Sequence, residues 1–436
     1  MIRQIVPIGA LLLGMGFLLA AGGLHAILIP VRGQIEGFSN TAIGWIGAGY
    51  AIGFTAGCLL VPHVVRRVGH IRAFSALTAI MAVNMLVCAL LVNEFAWLLL
   101  RLMAGFSFAG CYMIAESWLN ERVSNAQRGM IFSIYAIVTQ GGMMAGQFML
   151  TVAEPSRETL FMLGAILYAL SLVPTAVTKA PAPAPLNKVR IDVRKLFARS
   201  PAAFVGAVLS GTISSAWSNF APVYGRDVGL SNAGIASLLA IAMIGSVLLQ
   251  LPVGRLSDRI DRRYAIVLVC MFGAGIGFAL TALTAAGSFG LAFYVVIALY
   301  GGAIYSIYAL IVAHANDYAD SGDFVETASG LLILYGFGTM IGPLVTAQLI
   351  DLTGPSGVFT TTTVAHGLLA AYALWRTFRR PAPDEQSDFG RLPVARAQTP
   401  ETYALDPRSD ETDDASPAEQ PAPTGRAPFV GRRETA

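Results

Sequence analysis

Charge is scarce in this chain. Only 13% of its residues are Asp, Glu, Lys or Arg, against a hydrophobic fraction of 55%. A soluble protein of 436 residues needs far more charge to cover its surface, so the composition excludes a soluble globular fold and points to a polytopic membrane protein. Cysteine is equally sparse. Cys58, Cys88, Cys111 and Cys270 sit inside apolar runs without CxxC or metal-ligand spacing, so no disulfide framework and no metal site are expected, and they read as small buried residues. The alternating pattern of barrel strands is missing, which leaves helices as the spanning element. There is no Walker A sequence, no appended nucleotide-binding domain and no recognisable nucleophile–base spacing. An ATP-driven pump and a membrane enzyme are thereby disfavoured, and no cofactor and no nucleic-acid partner are expected.

What the chain does have is apolar runs of membrane length. A crossing takes about 20 apolar residues, and twelve such runs lie near 5–29, 41–62, 72–92, 95–116, 128–150, 160–177, 202–222, 232–252, 264–286, 289–313, 327–350 and 356–375. The first follows Met-Ile-Arg-Gln and ends near a signal-like Ala20-Ala21-Gly22. It continues to Ile29, beyond a usual signal core, and so reads as span 1. The even-numbered connections carry fifteen Lys and Arg and the odd-numbered ones three, Arg32, Arg157 and Arg226. The positive-inside rule then places the even connections and both termini in the cytoplasm of a bacterial inner membrane. Residues 1–178 and 201–376 are expected to form two six-helix bundles, joined by a basic cytoplasmic linker at 179–200. Residues 377–436, rich in Pro, Ala, Thr and acids, have no periodic apolar run and are expected to form a disordered cytoplasmic tail without a role in transport.

Shifted by 192 positions, the chain lies over itself. Pro30-Val31 falls on Pro222-Val223, Gly33 on Gly225, Gly37 on Gly229, Ser39-Asn40 on Ser231-Asn232 and Ile52-Gly53 on Ile244-Gly245. Between residues 30 and 67, 13 of 38 positions are identical. Duplicated membrane bundles imply a transporter with its substrate path between the copies.

The loop Gly254-Arg-Leu-Ser-Asp258-Arg259-Ile-Asp-Arg-Arg263 resembles the loop signature of the major facilitator superfamily, with Asp261 where a second Gly is usual. The first-half loop keeps Arg67 and Gly69 but has Arg66 at the Asp position. Arg101-x-x-x-Gly105 resembles the superfamily's fourth-helix pattern, and Glu116-Ser-Trp-Leu-Asn-Glu121 is similar to a bacterial YcaD-like branch. The resemblance covers about residues 1–376. It implies an all-α fold of twelve transmembrane helices in two pseudo-symmetric six-helix bundles, working by alternating access. Span 5 has Gly141-Gly142-Met-Met-Ala-Gly146-Gln147 where drug/proton antiporters of the superfamily carry Gly-x-x-x-Gly-Pro, and Gly338-x-x-x-Gly342-Pro343 appears on span 11 instead. Such small residues let helices approach closely.

Charges inside spans are costly and are candidates for function. Arg101 either attracts an anion or a proton-carrying acid, or binds backbone carbonyls. Glu116 either accepts a proton or pairs at the interface. His25 titrates in a range suited to proton coupling, or is a packing residue, and its shift partner is Trp217. Gln140, Gln147, Trp217, Asn219, Tyr305 and Gln348 offer aromatic faces and neutral hydrogen-bond groups for an uncharged or amphipathic ligand. In the superfamily fold the loop after span 2 approaches the start of span 11, and the loop after span 8 the start of span 5. That pairs Arg66 with Asp323 or Glu326, and Arg128 with Asp258, as a latch flanked by Arg67 and Arg259 in the outward-open state. The expected protein is a monomeric secondary transporter of a small molecule in the lipid bilayer, driven by a proton gradient or working by facilitated diffusion. A transport-like sensor that binds ligand without flux is the alternative.

Overall fold

With no water in the hydrocarbon layer, each backbone amide must be satisfied inside its own segment, and the chain is helical almost throughout. The computed structural model describes residues 2–122, 125–177, 193–319, 324–379, 389 and 398–404, with side chains except at 2–8, 122, 125–129, 175, 177, 193 and 404. The first half contains α1 (Ile2–Ile35), α2 (Asn40–Val68), α3 (His70–Leu90), α4 (Glu94–Arg122), α5 (Asn125–Phe148) and α6 (Thr159–Val177). A short helix, α7 (Val193–Arg199), leads into α8 (Pro201–Asp227), α9 (Asn232–Ser257), α10 (Arg262–Ala285), α11 (Leu291–Asn316), α12 (Phe324–Thr353) and α13 (Gly357–Thr377), and α14 (Pro400–Ala404) follows. Among the described residues nine helices are long and apolar enough alone to cross a membrane, and α5, α6 and α8 complete the twelve. Their outward faces carry large apolar side chains, Phe278 and Leu248 among them, 69% and 65% exposed. Such surface suits lipid.

The duplication is visible in the backbone. In the first half α1 packs on α5 and α6, α2 on α4, and α3 on α4 and α6; in the second α8 packs on α12 and α13, α9 on α11, and α10 on α11 and α13. α1 and α8 both run through a proline, Pro30 and Pro222, beyond the ends expected from hydropathy, and both stop at a glycine with positive φ, Gly37 at 80° and Gly229 at 78°. Phe38 N–H donates to Gly33 O and Leu230 N–H to Gly225 O, at 2.9 and 2.8 Å. These are matching Schellman caps, whose left-handed residue favours glycine. Ser39 and Ser231 then cap α2 and α9 through their hydroxyls.

Within each bundle helices meet backbone to backbone. A Cβ on Gly53 would lie 1.9 Å from Leu102 O, and one on its shift partner Gly245 would lie 1.8 Å from Ala298 O. A Cβ on Gly105 or Gly301 would come within 2.1 Å of Tyr50 O or Ala242 O, from the other side of the same two contacts. A methyl group there must push the helices apart. Gly53→Ala is expected to cost about 1–3 kcal/mol, read as a lowered unfolding temperature in detergent, whereas Gly141→Ala, with nothing within 4 Å, should stay within about 0.5 kcal/mol.

Candidate functional site

Between the bundles lies a cavity with about 660 Å³ of empty space. α2 supplies one face of its helix, Gly47, Tyr50, Ala51, Phe54, Thr55 and Cys58, at the three- and four-residue spacing that puts side chains in one stripe. α8 faces it with Ser214, Ser215, Ser218 and Asn219, and α12 with Leu332, Ile333, Tyr335, Gly336 and Thr339. None of these carries a charge. Ser215 and Thr339 donate to carbonyls of their own helices, Thr212 O at 3.2 Å and Gly336 O at 2.6 Å. Their oxygens keep lone pairs for a ligand. Asn219 Nδ2 donates to Ser215 O at 2.9 Å, which turns its Oδ1 towards Gly47, where a Cβ would approach it to 2.6 Å. The buried Ser214 Oγ has no hydrogen-bond partner among the described residues. The wall therefore combines apolar and aromatic surface with unused hydroxyl and amide capacity.

Tyr50 also borders a second cavity, of about 340 Å³, inside the first bundle with His25, Arg101, Tyr112 and Tyr168. The Arg101 guanidinium stands 4.5 Å over the Tyr50 ring, and His25 Nδ1 is 3.3 Å from Tyr168 Oη. His25 and Arg101 are 2% and 3% exposed. A cationic and a titratable group are thus held one aromatic ring away from the central cavity.

The two ends differ. At the arginine-poor end three hydrogen bonds cross between the bundles: Gln34 donates to Asp227 Oδ1, Asn40 Nδ2 to Asp351 Oδ1 at 2.7 Å, and Gln348 Nε2 to Thr41 Oγ1 at 3.0 Å. At the arginine-rich end the bundles are bridged by residues 398–404 of the tail. Glu116, fully buried on α4, accepts from Tyr135 Oη at 2.9 Å, from Thr402 Oγ1 at 2.7 Å and from Thr399 Oγ1. Pro400 lines the central cavity. The composition of the tail predicts no fixed structure, and residues 398–404 correct that expectation: their hydroxyls satisfy a buried carboxylate that otherwise has one donor.

The remaining candidates separate. Asn219 lies in the cavity wall, while Trp217 packs against Tyr300 and Phe359 in the second bundle, with ring centroids 5.3 and 6.2 Å away. Gln147 crosses to the other bundle, Nε2 to Met243 Sδ at 3.8 Å. Gln140 and Tyr305 border neither cavity, and Gln348 belongs to the seal. Of the gate residues, Arg66, Arg67 and Arg259 are exposed, and no ion pair joins Arg66 to Glu326 among the described residues. Asp258 instead meets Arg262 at 3.5 Å and accepts the Phe389 N–H at 3.0 Å. The Arg128 side chain and Asp323 lie outside the described residues. Sequence reasoning missed Tyr50, Thr55, the α8 serines and Thr339; the run Ser214-Ser215-x-x-Ser218-Asn219, polar at helical spacing in an apolar span, is the signal that marks them.

Comparison with known proteins agrees with this architecture. A family model described as Major Facilitator Superfamily matches residues 10–236 and again 202–408. The MFS-type transporter YcaD of Escherichia coli O6:K15:H31 (strain 536 / UPEC) is 25% identical over 352 residues, covering 79% of this chain and 89% of that protein. YcaD of Escherichia coli K12 / DH10B matches to the same extent. The crystal structure of the nucleoside transporter NupG superposes with a TM-score of 0.69 at 16% identity, covering 86% of this chain and 99% of NupG. A bacterial homologue of the human lysosomal transporter Spinster, inward-facing and occupied, gives 0.67 at 16% identity over 86% and 98%. With its twelve helices, its duplicated bundles and a family model that covers both halves, this integral membrane protein belongs to the Major Facilitator Superfamily.

Proposed function

We propose that the protein is a monomeric, proton-coupled secondary transporter of an uncharged or amphipathic small molecule, moved by alternating access rather than chemically altered. The observation that carries this reading is the charge-free, mainly apolar cavity between the bundles, whose wall carries several hydroxyls and the Asn219 amide. A buried wall of this kind suits a ligand with neutral hydrogen-bond groups and apolar faces, and leaves an ionic ligand without a counter-charge. The arginine bias assigns the basic end to the cytoplasm, which makes the conformation described one that is closed to the outside. His25 beside Tyr50 and Glu116 at the inner end are the groups offered for proton exchange, with Arg101 as a fixed cation that would attract an anionic group or a proton-carrying acid. In the outward-open state Arg66 would face Glu326, and Arg128 would face Asp258, with Arg67 and Arg259 alongside.

Two measurements follow. Ligands that stabilise the purified protein, drawn from a panel of neutral metabolites, nucleosides and drugs, are expected to move into liposomes at least tenfold faster under an imposed pH gradient. Glu116→Gln should abolish that acceleration while leaving exchange at equal pH intact. Binding without flux in well-inserted protein would replace this reading with that of a sensor. Removing two seal bonds with Asp227→Ala and Asp351→Ala, each worth about 0.5–1.5 kcal/mol, is expected to shift the population towards the outward-open state by roughly 5- to 150-fold. The readout is labelling of an introduced Thr55→Cys by a membrane-impermeant thiol reagent applied from outside.

A further inference from the structure

The mouth at the arginine-rich end is filled by the chain itself. Gln398, Thr399, Glu401, Thr402 and Tyr403 are each 7% exposed or less, a degree of burial foreign to a loose tail. The segment holds one bundle at each side. Towards the first, Thr399 and Thr402, one helical turn apart, give their hydroxyls to the two oxygens of Glu116. Towards the second, Tyr403 Oη lies 2.8 Å from Tyr308 Oη on α11, and its ring centroid 6.3 Å from that of Phe324 at the start of α12. Between these anchors Pro400 forms part of the cavity wall. Upstream, Phe389 donates its N–H to Asp258 and lays its ring over Gly254, where a Cβ would meet it at 2.4 Å.

The fit is chemical as well as steric. A buried carboxylate is costly to keep away from water unless donors surround it, and two of the three donors on Glu116 come from the tail. Without the segment Glu116 faces the mouth with Tyr135 alone. The place that receives the tail is therefore built for a short peptide presenting two hydroxyls one turn apart, followed by an aromatic side chain.

From these contacts we infer that the mouth is a peptide-binding site whose occupant is residues 398–404, and that the docked segment is an autoinhibitory plug. It stands in the exit from the central cavity and wedges between helices that must come together when the other end opens. The inhibitory part of this inference rests on the transporter reading above; the binding site does not.

Cys58, in the wall of the cavity that Pro400 also lines, reports on the plug without any transported substrate. In full-length protein carrying Cys88→Ala, Cys111→Ala and Cys270→Ala, labelling of Cys58 by N-ethylmaleimide is expected to be slow. Replacing the anchors with Thr399→Gly, Pro400→Gly, Thr402→Gly and Tyr403→Gly should accelerate it at least tenfold, and Thr399→Val with Thr402→Val should accelerate it at least threefold. The peptide Gln-Thr-Pro-Glu-Thr-Tyr-Ala, added to the glycine variant, should restore protection, whereas the same peptide with both threonines changed to valine should not. Equal labelling in either variant, in protein that stays monodisperse with an unchanged Tm, overturns the plug. So does faster labelling that the peptide fails to reverse. Neither result depends on flux, so the plug can fail while the transporter reading stands.

Discussion

Two bundles can rock against each other only if each is stiffer than the junction between them. Here the stiffness comes from backbone contact at glycines. Where Gly53 and Gly105 bring α2 against α4, and Gly245 and Gly301 bring α9 against α11, there is no side chain to yield, and separation means losing the whole packed seam. Across the junction at the arginine-poor end, three polar pairs are exposed hydrogen bonds, individually weak and exchangeable with water. In the proposed mechanism motion would thereby be directed into the junction, changing access to the cavity it encloses. The same logic explains why α2, α8 and α12 line it. They are inter-bundle elements, and α2 and α12 pack on each other across the divide.

The fold was largely legible because membrane helices leave a strong one-dimensional record. The twelve apolar runs lie within the twelve long helices to within a few residues at most ends, and the shift of 192 that aligns Gly37 with Gly229 aligns two left-handed caps of the same type. Boundaries drifted where the apolar run stopped short of the helix end, at Ile29 and Pro222. Pro30 and Pro222 do not end their helices, in keeping with the tolerance of membrane helices for proline. The candidate site was legible in part. Asn219 stood out as an amide in an apolar span, and His25, Arg101 and Glu116 as titratable groups. Thr55, Thr339 and the α8 serines did not, because hydroxyl residues are common in membrane helices and can satisfy themselves on the preceding turn. Only the facing of α2, α8 and α12 turns those hydroxyls into one surface. Trp217 errs in the opposite direction: conspicuous in sequence, it lies in an aromatic cluster with Tyr300 and Phe359.

The tail illustrates a different limit. Averaged over residues 377–436, its composition has nothing with which to build a core of its own. Residues 398–404 need no core of their own. They complete one that is already present, offering two hydroxyls and a phenol to a carboxylate and a tyrosine carried on separate bundles. A seven-residue match of this kind is invisible until the receiving groups are placed in space.

Glu116 connects these levels. It is fully buried, and its donors come from α5 and from the tail. When the tail is docked, both carboxylate oxygens accept hydroxyl hydrogens. When the tail leaves, the group regains a free oxygen facing the mouth. Proton exchange at Glu116 and docking of the tail, as proposed above, would draw on the same two oxygens. At the mouth's edge Asp258 Oδ1 likewise accepts the Phe389 amide at 3.0 Å and meets the Arg262 guanidinium at 3.5 Å. Coupling and inhibition need not be separate mechanisms. On the two proposals both would reduce to which donor holds a small set of acidic oxygens at the arginine-rich end, and the tail is one such donor.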